Sequence, residues 1–345
     1  MMISKFNYLI GKYVFRKALK CFYRKIEING MERIPGNQPV LFVANHCNAV
    51  VDALLLSANL AKPVTLTAKK TLLDNPVMKF VFNFLSVVYL SRRVDCTVEK
   101  AETAKSENMN AMYQLRDVLH HGESILIFPE GKSHSSDELM PFKTGAARLV
   151  LEYADECARQ GKPCDLVVIP VGLRYEQKEL FRSSASLTFG YPLDISDCLL
   201  SDQRSDARIL TDTFRTKVNE LLTDDKTNRI AERRINPNKW KKRFEDWEQA
   251  FIATPFSIFA LVLNLIPFLI TRTIVTTQST DDDHPASTAV VIGPMVFGVF
   301  HIVIATTLAL SASWFALLLY SLLLVPCSIN LLSQFDLYFR EQPYS

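Results

Sequence analysis

The chain has 345 residues, 48% hydrophobic and 22% charged, with a formal net charge of +3 at pH 7. That length exceeds a typical single domain of about 100–200 residues, and a charge so near zero excludes the whole-chain basic field expected of a nucleic-acid-binding protein. Seven cysteines are scattered singly without a CxxC pair, which argues against a disulfide framework or a zinc site and for a reducing compartment.

Residues 2–25 place Phe6, Leu9, Ile10, Tyr13 and Val14 at helical spacing, with Lys12, Arg16, Lys17, Lys20, Arg24 and Lys25 as basic charge. The pattern predicts an amphipathic helix over 1–28, lying on an anionic membrane surface or packed on a domain. Its interrupting lysines argue against a cleavable signal peptide. A strand, a turn and a loop follow, punctuated by Pro35, Gly36 and Pro39. The apolar run Val40–Ala44 reads as a buried strand that stops at Asn45 and His46, and Asp52 stands at the start of a helical pattern over 49–60. Further strands are expected at 63–68, 86–90, 124–128, 166–171 and 186–190, alternating with helices at 77–85, 99–120 and 145–159. Asn75-Pro76 is a helix start, since proline is tolerated at the first helical position. The alternation predicts an α/β domain over 29–200 with helices on the faces of its sheet.

Residues 201–249 read as a charged helical segment that reaches the basic cluster Lys239, Lys241, Lys242 and Arg243. The composition then changes into a membrane region over 250–335. Residues 289–310 and 312–332 contain no charged residue, and each is long enough to cross a hydrocarbon core of ~30 Å. A tight transmembrane hairpin is expected, with the alternative of a buried soluble helix pair. The apolar segment 250–270 carries Pro255 and Pro267 and reads as re-entrant, interfacial or a third span with kinked ends, before a polar loop over 271–287. The positive-inside rule keeps the basic cluster, and hence the α/β domain, on the cytosolic side.

A histidine and a carboxylate at the C-terminal end of a strand occupy the place where open α/β sheets bind their ligands. His46 is a candidate general base oriented by Asp52; the alternative is a histidine satisfied in the core or at a helix cap. Other chemistries fit poorly. Gly131-Lys132-Ser133 lacks the glycine that a phosphate loop needs at the position of Leu126, and neither GxSxG nor HExxH occurs. No metal site is expected.

Four blocks occur in order: NHCNAVVD at 45–52, VVYLSRR at 87–93, FPEGKSH at 128–134 and VIPVGL at 168–173. Together, over about residues 30–195, they resemble the glycerolipid acyltransferases that act on glycerol 3-phosphate or lysophosphatidate. The longer stretch from Phe128 is similar to a bacterial and fungal branch assigned to glycerol 3-phosphate. The resemblance implies an acyltransferase-type mixed sheet. It also implies transfer of a fatty acyl group from acyl-CoA or acyl carrier protein, as co-substrate and without a cofactor, to a glycerol-phosphate or lysophospholipid hydroxyl. His46 would take the hydroxyl proton and Asp52 would hold His46. Arg92, with Arg93 beside it, matches the acceptor-binding arginine, and Glu130 and Gly131 match the acceptor-lining block. Lys69 and Lys143 are further phosphate candidates, and Pro170 matches the block that shapes the acyl or donor pocket. Five residues separate His46 from Asp52 where the commoner family spacing is four. A regular helix would then turn the carboxylate away, so a loop at Cys47 and Asn48 must absorb the extra residue. The chain is thus expected to be an integral membrane enzyme of phospholipid synthesis, its catalytic domain facing the cytosol at a bacterial inner membrane or endoplasmic reticulum. The alternatives are another lysolipid as acceptor, an acceptor of cell-wall or lipid A synthesis, and a non-enzymatic lipid-binding scaffold.

Overall fold

The computed structural model describes residues 5–90, 101–134, 138–178, 180–195, 203–223, 247–278 and 285–311, with 314, 317, 318 and 320. Strands β1 (Lys25–Asn29), β2 (Val40–Ala44), β3 (Val64–Lys69), β4 (Val87–Leu90), β5 (Ser124–Ile127), β6 (Val167–Tyr175) and β7 (Ser184–Phe189) form one sheet in the order β1-β7-β6-β2-β5-β3-β4. The five strands from β6 to β4 in that order are parallel, and β6 pairs antiparallel with β7. The sheet is therefore mixed, and one edge collects the C-terminal ends of β2 to β6.

β2 is buried along its whole length and alternates between two cores. Val40, Phe42 and Ala44 pack with α1 (Lys5–Phe22), α2 (Ala49–Asn59) and α3 (Pro76–Phe82) on one face. Leu41 and Val43 pack with α4 (Ala101–His120), α5 (Gly145–Arg159) and α6 (Gln203–Thr223) on the other. A strand covered on both faces has no polar side to show, which is why its sequence is a continuous apolar run. Pro170 is tolerated inside β6 because its carbonyl faces β7, meeting the N–H of Gly190 at 2.8 Å where that strand has ended. The proline ring lies on that same side, against Gly190, so the donor it lacks is one toward the end of β7 and not toward β2.

Two expectations about extent are corrected. β6 continues past Val171 to Tyr175, because the strand leaves β2 at Ala44 and pairs instead with β7 from Phe189 to Ala185. Gly172 and Arg174 hid that continuation by breaking the apolar run. The segment 250–270 is not followed by a loop at 271: α7 (Trp247–Gln278) is one helix through both prolines and on to Gln278. Its threonines help. Thr271 Oγ1 donates to Pro267 O at 2.8 Å and Thr277 Oγ1 to Thr273 O at 2.8 Å, so the polar end satisfies itself within the helix.

α8 (Pro285–Leu310) follows, and its stretch Thr288–Leu310 is long and apolar enough to cross a membrane. Its beginning is buried: Val290, Val291 and Ile292 join the core formed by α1 and α2. Most of the second expected span, 312–332, lies outside the described residues, as does the basic cluster at 239–243. α1 is half sunk into the domain. Leu19 and Phe22 lie in the core, whereas Phe6 and Tyr13 on the opposite face are 70% and 65% exposed.

Candidate active site

The end of β2 delivers Asn45 to Asn48 to the C-terminal edge of the sheet. Asn45 is buried and closes the strand by a two-way bond to β6. Its Nδ2 donates to Leu173 O at 3.0 Å, and its Oδ1 accepts from Leu173 N at 2.7 Å. With that anchor fixed, His46 leaves the sheet and Cys47 and Asn48 form the loop before α2. The loop takes up the extra residue between His46 and Asp52, and Ala49 enters the helix with φ 41°.

Asp52, fully buried in the first turn of α2, receives three donors. His46 Nδ1 lies 2.9 Å from Oδ2, the Asn48 N–H donates to the same oxygen at 2.7 Å, and the Tyr175 hydroxyl donates to Oδ1 at 2.6 Å. The Asn48 bond is a capping-box back-reach made from one position further into the helix. A buried carboxylate without such partners would be costly. Because Asp52 accepts, Nδ1 of His46 carries the proton and Nε2 keeps its lone pair. The imidazole stacks on Phe128 with centroids 4.1 Å apart and planes 12° apart, and its side chain is 18% exposed. A half-sheltered imidazole with a fixed tautomer and a free basic nitrogen is a proton acceptor for a hydroxyl.

Two tyrosines border this pair. Burial, and after it the charge of Asp52, pushes the phenols of Tyr23 and Tyr175 well above the usual tyrosine value. Both therefore remain donors across the physiological range. Tyr23 gives its proton to Lys178 O at 3.1 Å and accepts from Asn48 Nδ2 at 2.9 Å. Burial and the same carboxylate also push the Cys47 thiol up. The cysteine beside the base is thus a thiol at neutral pH and no candidate nucleophile.

Glu130 sits after β5, buried and turned inward. Oε1 accepts the His46 main-chain N–H at 2.6 Å, while Oε2 meets Nε2 of His134 and accepts from Met140 N at 3.1 Å. Each carboxylate oxygen has a protein donor, so Glu130 holds its neighbours, the ring of His134 among them. Gly131 adopts φ 73°, and a Cβ there would come 2.5 Å from Lys143 Nζ. The missing side chain lets the Lys143 ammonium cross the glycine at the rim of the site. Lys143 directly precedes Thr144, the N-cap of α5, whose first N–H groups favour an anion. Lys69 ends β3, half-buried on the same edge and two strands from β2, roughly 10 Å away at ordinary strand spacing. Arg92 and Arg93 lie outside the described residues. Sequence reasoning missed Tyr23, Tyr175, His134 and Lys178. Asn45 and Asn48 were visible within the first block, but no pattern singled them out. Among the described residues, no cluster of three or more His, Cys, Asp or Glu could hold a metal ion.

Residues 25–174 match the family model described as Acyltransferase. This part of the chain is similar to acyltransferases. The matched stretch begins with β1 and runs to the last residue but one of β6, enclosing the whole His46–Asp52–Glu130 arrangement. Glycerol-3-phosphate O-acyltransferase 1 of Saccharomyces cerevisiae is 24% identical over 298 residues, covering 64% of this chain and 38% of that protein. The 1-acyl-sn-glycerol-3-phosphate acyltransferase of Borreliella burgdorferi is 30% identical over 128 residues, covering 37% of this chain and 47% of that protein. A crystal structure of the 1-acyl-sn-glycerophosphate acyltransferase of Thermotoga maritima aligns with a TM-score of 0.45 at 18% identity, over 63% of this chain and 79% of that one. The chain thus spans less than two thirds of the length of these curated relatives.

Proposed function

We propose that the protein is a membrane-bound O-acyltransferase of phospholipid synthesis, moving a fatty acyl group from acyl-CoA or acyl carrier protein to a hydroxyl of glycerol 3-phosphate. The observation that carries the proposal is the contact of His46 Nδ1 with the buried Asp52 at 2.9 Å, which leaves Nε2 as the base. Nε2 takes the proton of the acceptor hydroxyl as the oxygen attacks the thioester carbonyl. The tetrahedral adduct then expels the thiolate, which recovers the proton from the imidazolium. The ester forms, the C–S bond breaks, and no acyl-enzyme is needed because the thioester is already activated. Lys69, Arg92, Arg93 and Lys143 are assigned to the acceptor phosphate, with Gly131 opening the rim to it; arginine suits a phosphate by its bidentate fork. Glu130 is assigned to the loop that carries His46. The apolar outer face of α1 and the length of α8 support an integral membrane protein, and the basic run Lys239–Arg243 supports a catalytic domain facing the cytosol.

The test uses purified protein in detergent with radiolabelled palmitoyl-CoA, glycerol 3-phosphate or lysophosphatidate, and wild type against His46→Ala. Label in lysophosphatidate from glycerol 3-phosphate, with the rate lowered by about 10²–10⁴-fold in the variant, is the expected result. Label solely in phosphatidate would transfer the assignment to the lysolipid step. No transfer from either acyl-CoA or acyl carrier protein would overturn the enzymatic reading. Arg92→Ala is expected to raise the acceptor KM, and an unchanged KM removes that residue from the site.

A further inference from the structure

The loop that carries His46 is held from outside by side chains that stand apart from the reacting atoms. Glu130 takes the His46 N–H at 2.6 Å. The His134 main-chain N–H donates to His46 O at 3.3 Å, and the ring of the same residue donates from Nε2 to the second oxygen of Glu130. Lys178 closes the arrangement: its Nζ donates to Cys47 O at 3.2 Å and to His134 O at 3.3 Å. The main chain at His46 is therefore gripped on its N–H and on its C=O by one turn of chain, and Lys178 ties that turn to the next residue of the loop. Glu130 and His134 side chains are 0% and 10% exposed, so the pair is largely sheltered. The other ring nitrogen of His134 has no hydrogen-bond partner among the described residues, so the contact to Glu130 is the one polar contact described for the ring.

From this geometry we infer that His134 and Lys178 are positioning residues for the base. His134 acts through Glu130, and Lys178 acts through the carbonyls of Cys47 and His134, so that together they fix where Nε2 of His46 stands. The inference rests on the reading of His46 as the base. A rotation of the loop would leave substrate binding intact and move the basic nitrogen off the hydroxyl, and a misplacement of about 1 Å can cost on the order of 10²-fold in rate. Glutamine at position 134 can present one N–H where Nε2 stands, whereas leucine cannot.

Full-length His134→Leu, His134→Gln and Lys178→Met are compared with wild type by two readouts. The first is kcat and both KM values for acyl transfer. The second, independent of turnover, is the rate at which diethylpyrocarbonate modifies His46, followed by peptide mass spectrometry. Expected for His134→Leu and Lys178→Met are a kcat lowered by about 10–100-fold, KM values within twofold of wild type, and a modification rate at His46 changed at least threefold. His134→Gln is expected to restore both readouts to within threefold. Wild-type kcat and wild-type His46 reactivity in His134→Leu and Lys178→Met overturn the inference. So does a Lys178→Met effect confined to acceptor KM, which would make that ammonium a substrate contact. If His134→Leu does not fold, Lys178→Met, on a half-buried residue, decides alone by the same criteria. If wild type transfers no acyl group, the proposed function fails, while the reactivity of His46 still decides whether the clamp holds the loop.

Discussion

At the residue scale, Asp52 shows how many partners one buried charge demands. Tyr175 supplies the only described donor to its Oδ1. Tyr175→Phe leaves that lone pair unsatisfied, and a loss of about 1–3 kcal/mol is expected in urea unfolding. The tyrosines also set an alkaline limit. Their folded values lie above the ordinary 10.0 because of burial first and Asp52 second. The unfolded chain therefore gives up these protons before the fold does. The stability they contribute is complete below pH 10 and is lost as pH rises from there through the folded values. Urea midpoints at pH 9 and 11 should fall in that order, with phenolate absorbance of Tyr23 and Tyr175 appearing only together with unfolding. The exposed tyrosines give a common background, so a phenolate signal at pH 11 in the folded protein that is lost in Tyr23→Phe or Tyr175→Phe would contradict this account. Gly131 makes a separate prediction. Gly131→Ala adds about 1–2 kcal/mol of left-handed strain and a methyl where Lys143 Nζ now lies. The flexible ammonium is the part that yields, so acceptor KM should rise severalfold with kcat less affected.

At the element scale, the junction of β2 with α2 is the demanding piece of local structure. Ala49 opens the helix at positive φ and is only 7% exposed. Ala49→Val places a β-branched side chain in a region it avoids, with a cost of about 1–3 kcal/mol in melting experiments. Ala49→Gly relieves the strain but loses a buried methyl worth about 0.8 kcal/mol and adds chain entropy of about 0.5–1 kcal/mol; the opposing terms leave it within about 1 kcal/mol of wild type. The pair therefore separates backbone strain from side-chain packing. The loop expected from the spacing of His46 and Asp52 is the one present, and its need was legible because a helix cannot place both side chains together at that separation. The length of β6 was not legible. Its second half is stabilised by β7, a partner its own composition does not announce.

At the scale of the whole molecule, the first turns of α8 complete the core between α1 and α2. The helix that is long enough to cross a membrane therefore also seals the domain that carries Asp52. Truncation after residue 246 should uncover that apolar face, so that the remaining fragment aggregates without detergent and melts below the full-length protein in size-exclusion and thermal measurements. A monodisperse fragment with the full-length melting temperature would show that the packing contributes little. α1 shares the arrangement, with one apolar face in the core and another outside, and its sequence displayed both without saying which would be covered.

The sequence by itself determined the alternating α/β order, the buried central strand, the candidate base with its carboxylate, and the long apolar helix. Each is a local pattern, written in the period of the apolar residues or in residues a few positions apart. The tertiary structure alone decided what surrounds the base. Glu130 reaches His46 across 84 positions of chain, and Tyr175 reaches Asp52 across 123. Those meetings depend on the strand order, which brings the ends of β5 and β6 to either side of β2. A polar side chain whose partner arrives by sheet closure carries no periodic signal, so its role emerges only when the strands are side by side.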